Sequence, residues 1–170
     1  MGHHPGEANL DAVCDVVAAA DGGLKCEELV MILWGLAAAC PYGYHPGAPF
    51  VADAERWLLQ LVEQGAPDAR TMTKLFQAMD ALQHTPSAEL LQNCDAAMVR
   101  ALQRSPDSDC GALMLRWARC GYKPSEALMA RLLEPMTRPD VDLRSIATFL
   151  WCVTHTHRKC LGRCRWLVRV

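Results

Sequence analysis

The chain has 170 residues, a formal net charge of −2 and 51% hydrophobic residues, mostly Ala and Leu. That is enough for one domain with a substantial core. The longest apolar run is the 11 residues 30–40, too short to span a bilayer. No basic start followed by an apolar core and no Arg- and Ser-rich leader opens the sequence, so neither a secretory nor a transit signal is expected.

Pro5, Pro46, Pro86 and Pro124 are spaced 41, 40 and 38 residues apart, and each opens a fresh apolar helical pattern. A period of this length marks a stacked repeat protein. In chain order, residues 5–20 read as the second helix (B) of a unit whose first helix (A) is missing. A stack that opens in mid-unit leads us to expect further residues upstream of Met1. Asp21-Gly22-Gly23 is a plain turn. A first unit near 25–65 holds helix A at 25–39 and helix B at 48–64. A second, near 67–105, holds helices at 68–83 and 86–104. A third, near 107–137, holds a shorter A helix at 109–120 and a B helix at 124–134. A partial unit, 139–159, holds an A helix from about 140 to 155, and residues 160–170 form a basic tail. The predicted fold class is all-α: a short, right-handed α-solenoid of about four helical hairpin repeats of 36–41 residues.

Helix punctuation agrees with these boundaries. Asp68, Asp107 and Asp140 stand where N-caps are wanted, and Gly65 and Gly121 where helices stop. Ser87 and Ser125 follow their prolines, with Pro at or near the first helical position. Pro67, Pro106, Pro135 and Pro139 separate one helix from the next. The A helices share a register. Trp34, Gln77, Leu115 and Trp151 align if three residues near Pro41-Tyr42-Gly43 are looped out and Cys160 stands at a proline position. The preceding residues, Leu33, Phe76, Met114 and Leu150, are apolar, as are Ile32, Leu75, Leu113 and Phe149 before them. Trp34, Trp57, Trp117 and Trp151 are expected to pack between helices, and the methionines to fill core gaps.

The nine cysteines are odd in number and irregularly spaced, which suits reduced core thiols in a reducing compartment better than a disulfide framework. Charge is divided along the chain. Residues 1–66 carry two basic groups against nine acidic, a balance of −7; residues 67–170 carry fifteen against ten, a balance of +5. The two halves are therefore expected to face different partners.

The third unit carries Leu115-Arg116-Trp117-Ala118-Arg119-Cys120-Gly121-Tyr122-Lys123-Pro124-Ser125-Glu126-Ala127-Leu128. The first carries Ile32-Leu33-Trp34-Gly35-Leu36-Ala37 and then Gly43-Tyr44-His45-Pro46. These resemble the octotricopeptide-type repeats of green algae and other protists, related to proteins with RAP and FAST-kinase-like domains. The resemblance runs from Pro5 to about Lys159. It implies organellar RNA work: transcript stabilisation, processing, translation activation, or a structural place in a mitochondrial ribosome.

No serine-nucleophile motif and no phosphate-cradling glycine loop is present, so no catalysis is expected and no cofactor is implied. Glu27-Glu28 sits at a helix start, where the macrodipole favours carboxylates. His155, His157, Cys160 and Cys164 carry zinc-ligand atoms within ten residues, but without the two separated pairs of a structural site. Arg158, Lys159, Arg163, Arg165 and Arg169, with Trp166 among them, suit contact with phosphates and bases. On the A helices, positions six and three residues before the aligned Trp/Leu are Glu28 and Met31, Thr71 and Lys74, Asp109 and Ala112, Ser145 and Thr148. Thr71/Lys74 and Ser145/Thr148 are the hydrogen-bonding sets suited to base contact. Arg70, Arg116, Arg119 and Arg144 stand ready for phosphates.

The expected function is a non-enzymatic, RNA-associated repeat protein of an organelle, mitochondrial or alternatively chloroplast. The short array and divided charge favour a structural subunit of a mitochondrial ribosome or other ribonucleoprotein. Its basic half would contact RNA, with ribosomal RNA the expected target, and its acidic half neighbouring proteins. No membrane span and no small-molecule substrate are expected. The alternative is a protein-binding scaffold subunit without RNA contact.

Overall fold

A computed structural model of the chain describes residues 6–20, 23–65, 67–104, 111–136, 146–147, 149–152 and 154. The helices are α1 (Glu7–Ala19), α2 (Cys26–Ala39), α3 (Ala48–Gln64), α4 (Ala69–Ala81), α5 (Ala88–Arg104), α6 (Gly111–Cys120) and α7 (Glu126–Met136), with a short 3-10 turn over Cys40–Tyr42. Residues 146–147, 149–152 and 154 are also helical, and there is no strand among the described residues. No described helix is long and apolar enough to cross a membrane.

The helices stack in two layers. α2 packs on α4 and α4 on α6, forming the A layer. α1 packs on α3, α3 on α5 and α5 on α7, forming the B layer. Contacts of α2 with α3, and of α4 with α5, tie the layers within each unit. This is the all-α helical repeat arrangement that the sequence period predicts. One continuous core runs from Val17 to Cys152 between the layers. Leu29, Leu33, Leu58, Met72, Leu75, Leu90 and Met98 are each less than 2% exposed within it. Burying a side chain of this size contributes about 1.5–3 kcal/mol. A smaller cluster of Leu10, Cys14, Leu36, Ala39 and Tyr44 seats α1 on the first unit.

Local chemistry explains the ends. Asp68 caps α4, its carboxylate accepting the Thr71 N–H at 2.7 Å. Glu28 accepts the Lys25 N–H at 2.8 Å and closes the start of α2. Asp107 and Asp140 lie outside the described residues. Each A-to-B turn then repeats one device. The residue three before the proline is left-handed: Gly43 at φ +94°, Gln83 at +56° and Gly121 at +74°. That conformation lets the next N–H turn back on the helix, His84 to the Met79 carbonyl at 2.9 Å and Tyr122 to the Trp117 carbonyl at 3.0 Å. The residues that the alignment loops out of the first unit fall on the 3-10 turn and its Gly43 cap.

Three expectations need correction. Pro86 and Pro124 are buried and stand two residues before α5 and α7, outside the first helical position, as Pro46 stands before α3, whose bounds are those expected. The N-cap position falls to Gly47 on α3, and the Ser87 and Ser125 hydroxyls do the same work on α5 and α7. Trp117 and Trp57 pack in the core, but Trp34 and Trp151 are 42% and 45% exposed. In the last A helix, Phe149 and Cys152 are buried while Leu150 is 56% exposed. Residues three apart share a helix face, so seating 149 and 152 turns 150 and 151 outward.

Candidate functional site

Consecutive B helices are joined by a polar contact that the sequence period hides. In each A-to-B turn, the residue two before the proline carries a ring: Tyr44, His84 or Tyr122. Each ring reaches a carboxylate on the preceding B helix. Tyr122 donates to Asp95 Oδ2 at 3.1 Å, His84 Nε2 bonds Glu55 Oε2, and Tyr44 donates to Asp11 Oδ1 at 3.0 Å. Glu55 and Asp95 both stand nine residues after their own proline, and they are 8% and 3% exposed.

The same carboxylates cap the next B helix. The Ser125 N–H and hydroxyl donate to Asp95 at 2.7 and 2.6 Å. The Ser87 N–H donates to Glu55 Oε1 at 2.7 Å. These bonds make the burial of a charge tolerable. Burial pushes the Glu55 carboxyl up, but the bonds from Ser87 and His84 outweigh it and hold the group below its ordinary value. Burial, with the Asp95 charge beside it, drives the Tyr122 hydroxyl upward, so it stays a donor. At the first joint the nine-after position is Cys14, whose Sγ lies 3.5 Å from the Tyr44 hydroxyl. Asp11, one turn earlier on α1, supplies the carboxylate there. At α7 the corresponding residue is Leu133, 45% exposed.

Cys14, Cys26, Cys40 and Cys94 are free thiols, and Cys14, Cys26, Cys94 and Cys152 are buried. Burial pushes the Cys26 thiol up to about 11 and raises Cys14, Cys94 and Cys152 as well. Such thiols are unreactive core residues at neutral pH.

The A layer brings together part of the expected RNA set. Lys74 reaches from α4 to α2, with Nζ 3.2 Å from Met31 Sδ and 5.4 Å from the centre of the Trp34 ring. This cation–π contact holds a half-exposed indole beside a cation. One unit on, Arg116 of α6 pairs with Asp80 of α4 at 2.5 Å, and Arg119 lies 3.9 Å from the same carboxylate. These residues line a cleft of about 400 Å³ with His84 and Thr85. Arg70 is exposed at the start of α4. Thr71 is half-buried, and its N–H is used by the Asp68 cap. Arg144, Ser145, Thr148, Arg158, Lys159, Arg163, Arg165 and Arg169 lie outside the described residues, as do the zinc candidates His155, His157, Cys160 and Cys164.

The joint residues were missed because each pair is 27–33 residues apart in the chain. A signal was present: an acid nine residues after one proline and a ring two residues before the next. No protein-family model, curated protein or solved structure matches the chain. The octotricopeptide-type resemblance thus rests on the residues quoted for it.

Proposed function

We propose that the chain is a non-catalytic, RNA-associated repeat protein of an organelle, in the manner of octotricopeptide-type arrays. The role that fits best is a structural subunit of a mitochondrial ribosome or another organellar ribonucleoprotein, with a chloroplast complex as the alternative setting. The observation that carries the reading is Trp34, 42% exposed in the A layer with the Lys74 ammonium beside its ring. An exposed aromatic face next to a cation is what stacking on an unpaired base and contacting its phosphate require. Arg116 and Arg119 extend the cationic series by one unit, and the sequence of 158–170 adds five further cations.

The test is RNA binding by the full chain, measured by crosslinking and by titration at several salt concentrations. Trp34→Ala is expected to weaken binding by about 1–3 kcal/mol. Lys74→Glu and Arg116→Glu are each expected to weaken it and to flatten its salt dependence. Affinity unchanged in all three variants overturns the reading.

A second reading, a protein-binding scaffold subunit without RNA contact, has its own support. Asp80 offsets the charge of Arg116 and Arg119. Val13 and Val16 of α1 are exposed, and exposed apolar groups serve protein contact better than phosphate contact. An absence of RNA crosslinks in the natively purified assembly favours this reading.

A further inference from the structure

In the interior of the stack the repeat breaks its own pattern at several positions, and they meet in one cleft. Three residues before the proline, the left-handed residue is Gly43 in the first unit and Gly121 in the third, but Gln83 in the second. A residue with a Cβ carries a backbone cost there that glycine avoids. Across the seam between α4 and α6, Asp80 meets Arg116. In the repeat register, the same two positions of the seam between α2 and α4 hold Ala37 and Ala78, both part of the core. Arg119, more than half exposed, stands where the earlier units hold Ala38 and Ala81. Small side chains thus close the first seam, and long polar ones border a cleft of about 400 Å³ at the second.

The cleft sets three chemistries side by side. Its floor is apolar, made by Phe76, Met79 and Pro86, all buried. Trp117 holds the Phe76 ring edge-on at 5.8 Å, which fixes that floor. On one wall, Arg116 and Arg119 both approach Asp80 Oδ2, so two guanidiniums share one carboxylate and positive charge is left over. Glu55 does not line the cleft, and its carboxylate is taken up by His84 and Ser87. At the rim, the Gln83 amide, the Thr85 hydroxyl and the Asp80 carboxylate supply hydrogen-bonding groups. A phosphate alone would leave the floor bare, and an apolar group alone would leave the guanidiniums without an anion. A flat ring with a polar edge, joined to a phosphate, uses all three.

We propose that the cleft between the C-terminal turns of α4 and α6 binds a nucleoside monophosphate unit. The base lies on Phe76 and Met79 with its edge toward Gln83, Thr85 and Asp80, and the phosphate meets Arg119 and Arg116. Arginine suits the phosphate because its planar fork matches two oxygens at once. The volume falls in the range of small-ligand sites. Gln83 fits the same reading: a strained backbone kept beside a cleft, where glycine serves elsewhere, marks a side chain that is used. The unit is either a free nucleotide or an unstacked residue of a single strand, and both present this chemistry. The inference goes beyond the RNA reading, because a free nucleotide satisfies it without any strand.

The test uses the full chain, reduced and free of nucleic acid, with the methionine methyl groups labelled for NMR. AMP, GMP, CMP and UMP are titrated singly, beside the matching nucleosides and inorganic phosphate. At least one nucleotide is expected to shift the Met79 methyl signal with a Kd of about 1 mM or tighter. Its nucleoside and inorganic phosphate are each expected to bind at least about tenfold more weakly. Arg119→Gln, at an exposed site, is expected to weaken binding about tenfold with unchanged melting. Gln83→Gly is expected to weaken binding while raising the melting temperature, a pairing that a purely structural role would not produce. A short single-stranded oligonucleotide that displaces the nucleotide assigns the site to a strand, and one that leaves it in place assigns it to the free nucleotide. Three results overturn the proposal. They are a Met79 signal unmoved by nucleotide or oligonucleotide up to about 5 mM, inorganic phosphate or the nucleoside binding as tightly as the nucleotide, and affinity unchanged in both variants. Failure of the RNA reading shows elsewhere, in strand binding indifferent to Trp34 and Lys74.

Discussion

The Tyr122 hydroxyl donates to Asp95 Oδ2 at 3.1 Å, joining two residues 27 positions apart on successive units. Asp95 is only 3% exposed, and it also holds the N-terminus of α7 through both donors of Ser125. One carboxylate therefore sets the spacing of two B helices and the start of the second.

Removing that carboxylate is expected to be costly. Asp95→Ala leaves the Tyr122 hydroxyl and the Ser125 N–H without their acceptor, and a loss of about 3 kcal/mol is expected. Tyr122→Phe removes one donor while Ser125 still satisfies the carboxylate, so about 1 kcal/mol is expected. Urea unfolding followed by circular dichroism measures both, and equal losses would show that the ring, and not the carboxylate, governs the joint.

The Glu55 joint gives the fold a defined acid limb. Its carboxyl is held below its ordinary value of 4.5 when folded. A depressed carboxylate contributes stability that is fully present above the ordinary value and is lost as pH falls through the folded value. The melting temperature is therefore expected to decline below about pH 4.5. Glu55→Gln is expected to lower the melting temperature at neutral pH and to flatten that decline. An unchanged acid limb in the variant would assign acid unfolding to other groups.

The first of the three left-handed positions is Gly43, the second Gln83 and the third Gly121. A residue with a Cβ is disfavoured in this region by about 1–2 kcal/mol, and glycine is free of that cost. Gln83→Gly is expected to raise stability by about 0.5–1 kcal/mol, and Gly121→Ala to lower it by about 1–2 kcal/mol. Thermal melts of the two variants should move in opposite directions.

Trp117 is 1% exposed and packs edge-on against Phe76 and Tyr122, at centroid distances of 5.8 and 5.6 Å. Its Nε1–H is buried without a hydrogen-bond partner among the described residues. The side chain therefore contributes through its ring. Trp117→Ala is expected to cost about 3–5 kcal/mol, and Trp117→Phe under about 1.5 kcal/mol, because the change also removes the unpaired donor. Denaturant midpoints of the two variants decide this, and similar losses would contradict it.

The period, the helices and most of the core were legible because each rests on local chemistry: proline spacing, caps such as Asp68, and apolar residues at helical spacing. The joints were not, because Asp95 seen alone is an ordinary acid on an amphipathic helix. Its burial depends on Tyr122 and Ser125, which only the fold brings near. Trp34 misled for a related reason. Its aligned neighbours Leu33 and Leu36 are buried, yet the ring itself turns outward and is flanked by Lys74 from the next unit. The candidate RNA set was legible as far as Lys74, Arg116 and Arg119. The pairing of the two arginines with Asp80 was not, because it crosses from α4 to α6.

Every carboxylate of the joints precedes its ring in the chain: Asp11 before Tyr44, Glu55 before His84, Asp95 before Tyr122. During synthesis the acceptor thus emerges first and waits, solvated, for a ring that arrives one hairpin later. The stack has a built-in direction of growth, and its two directions of loss are unequal. Shortening from the C-terminal side leaves a buried-site anion with nothing to hold, whereas shortening from the N-terminal side frees only a phenol or an imidazole.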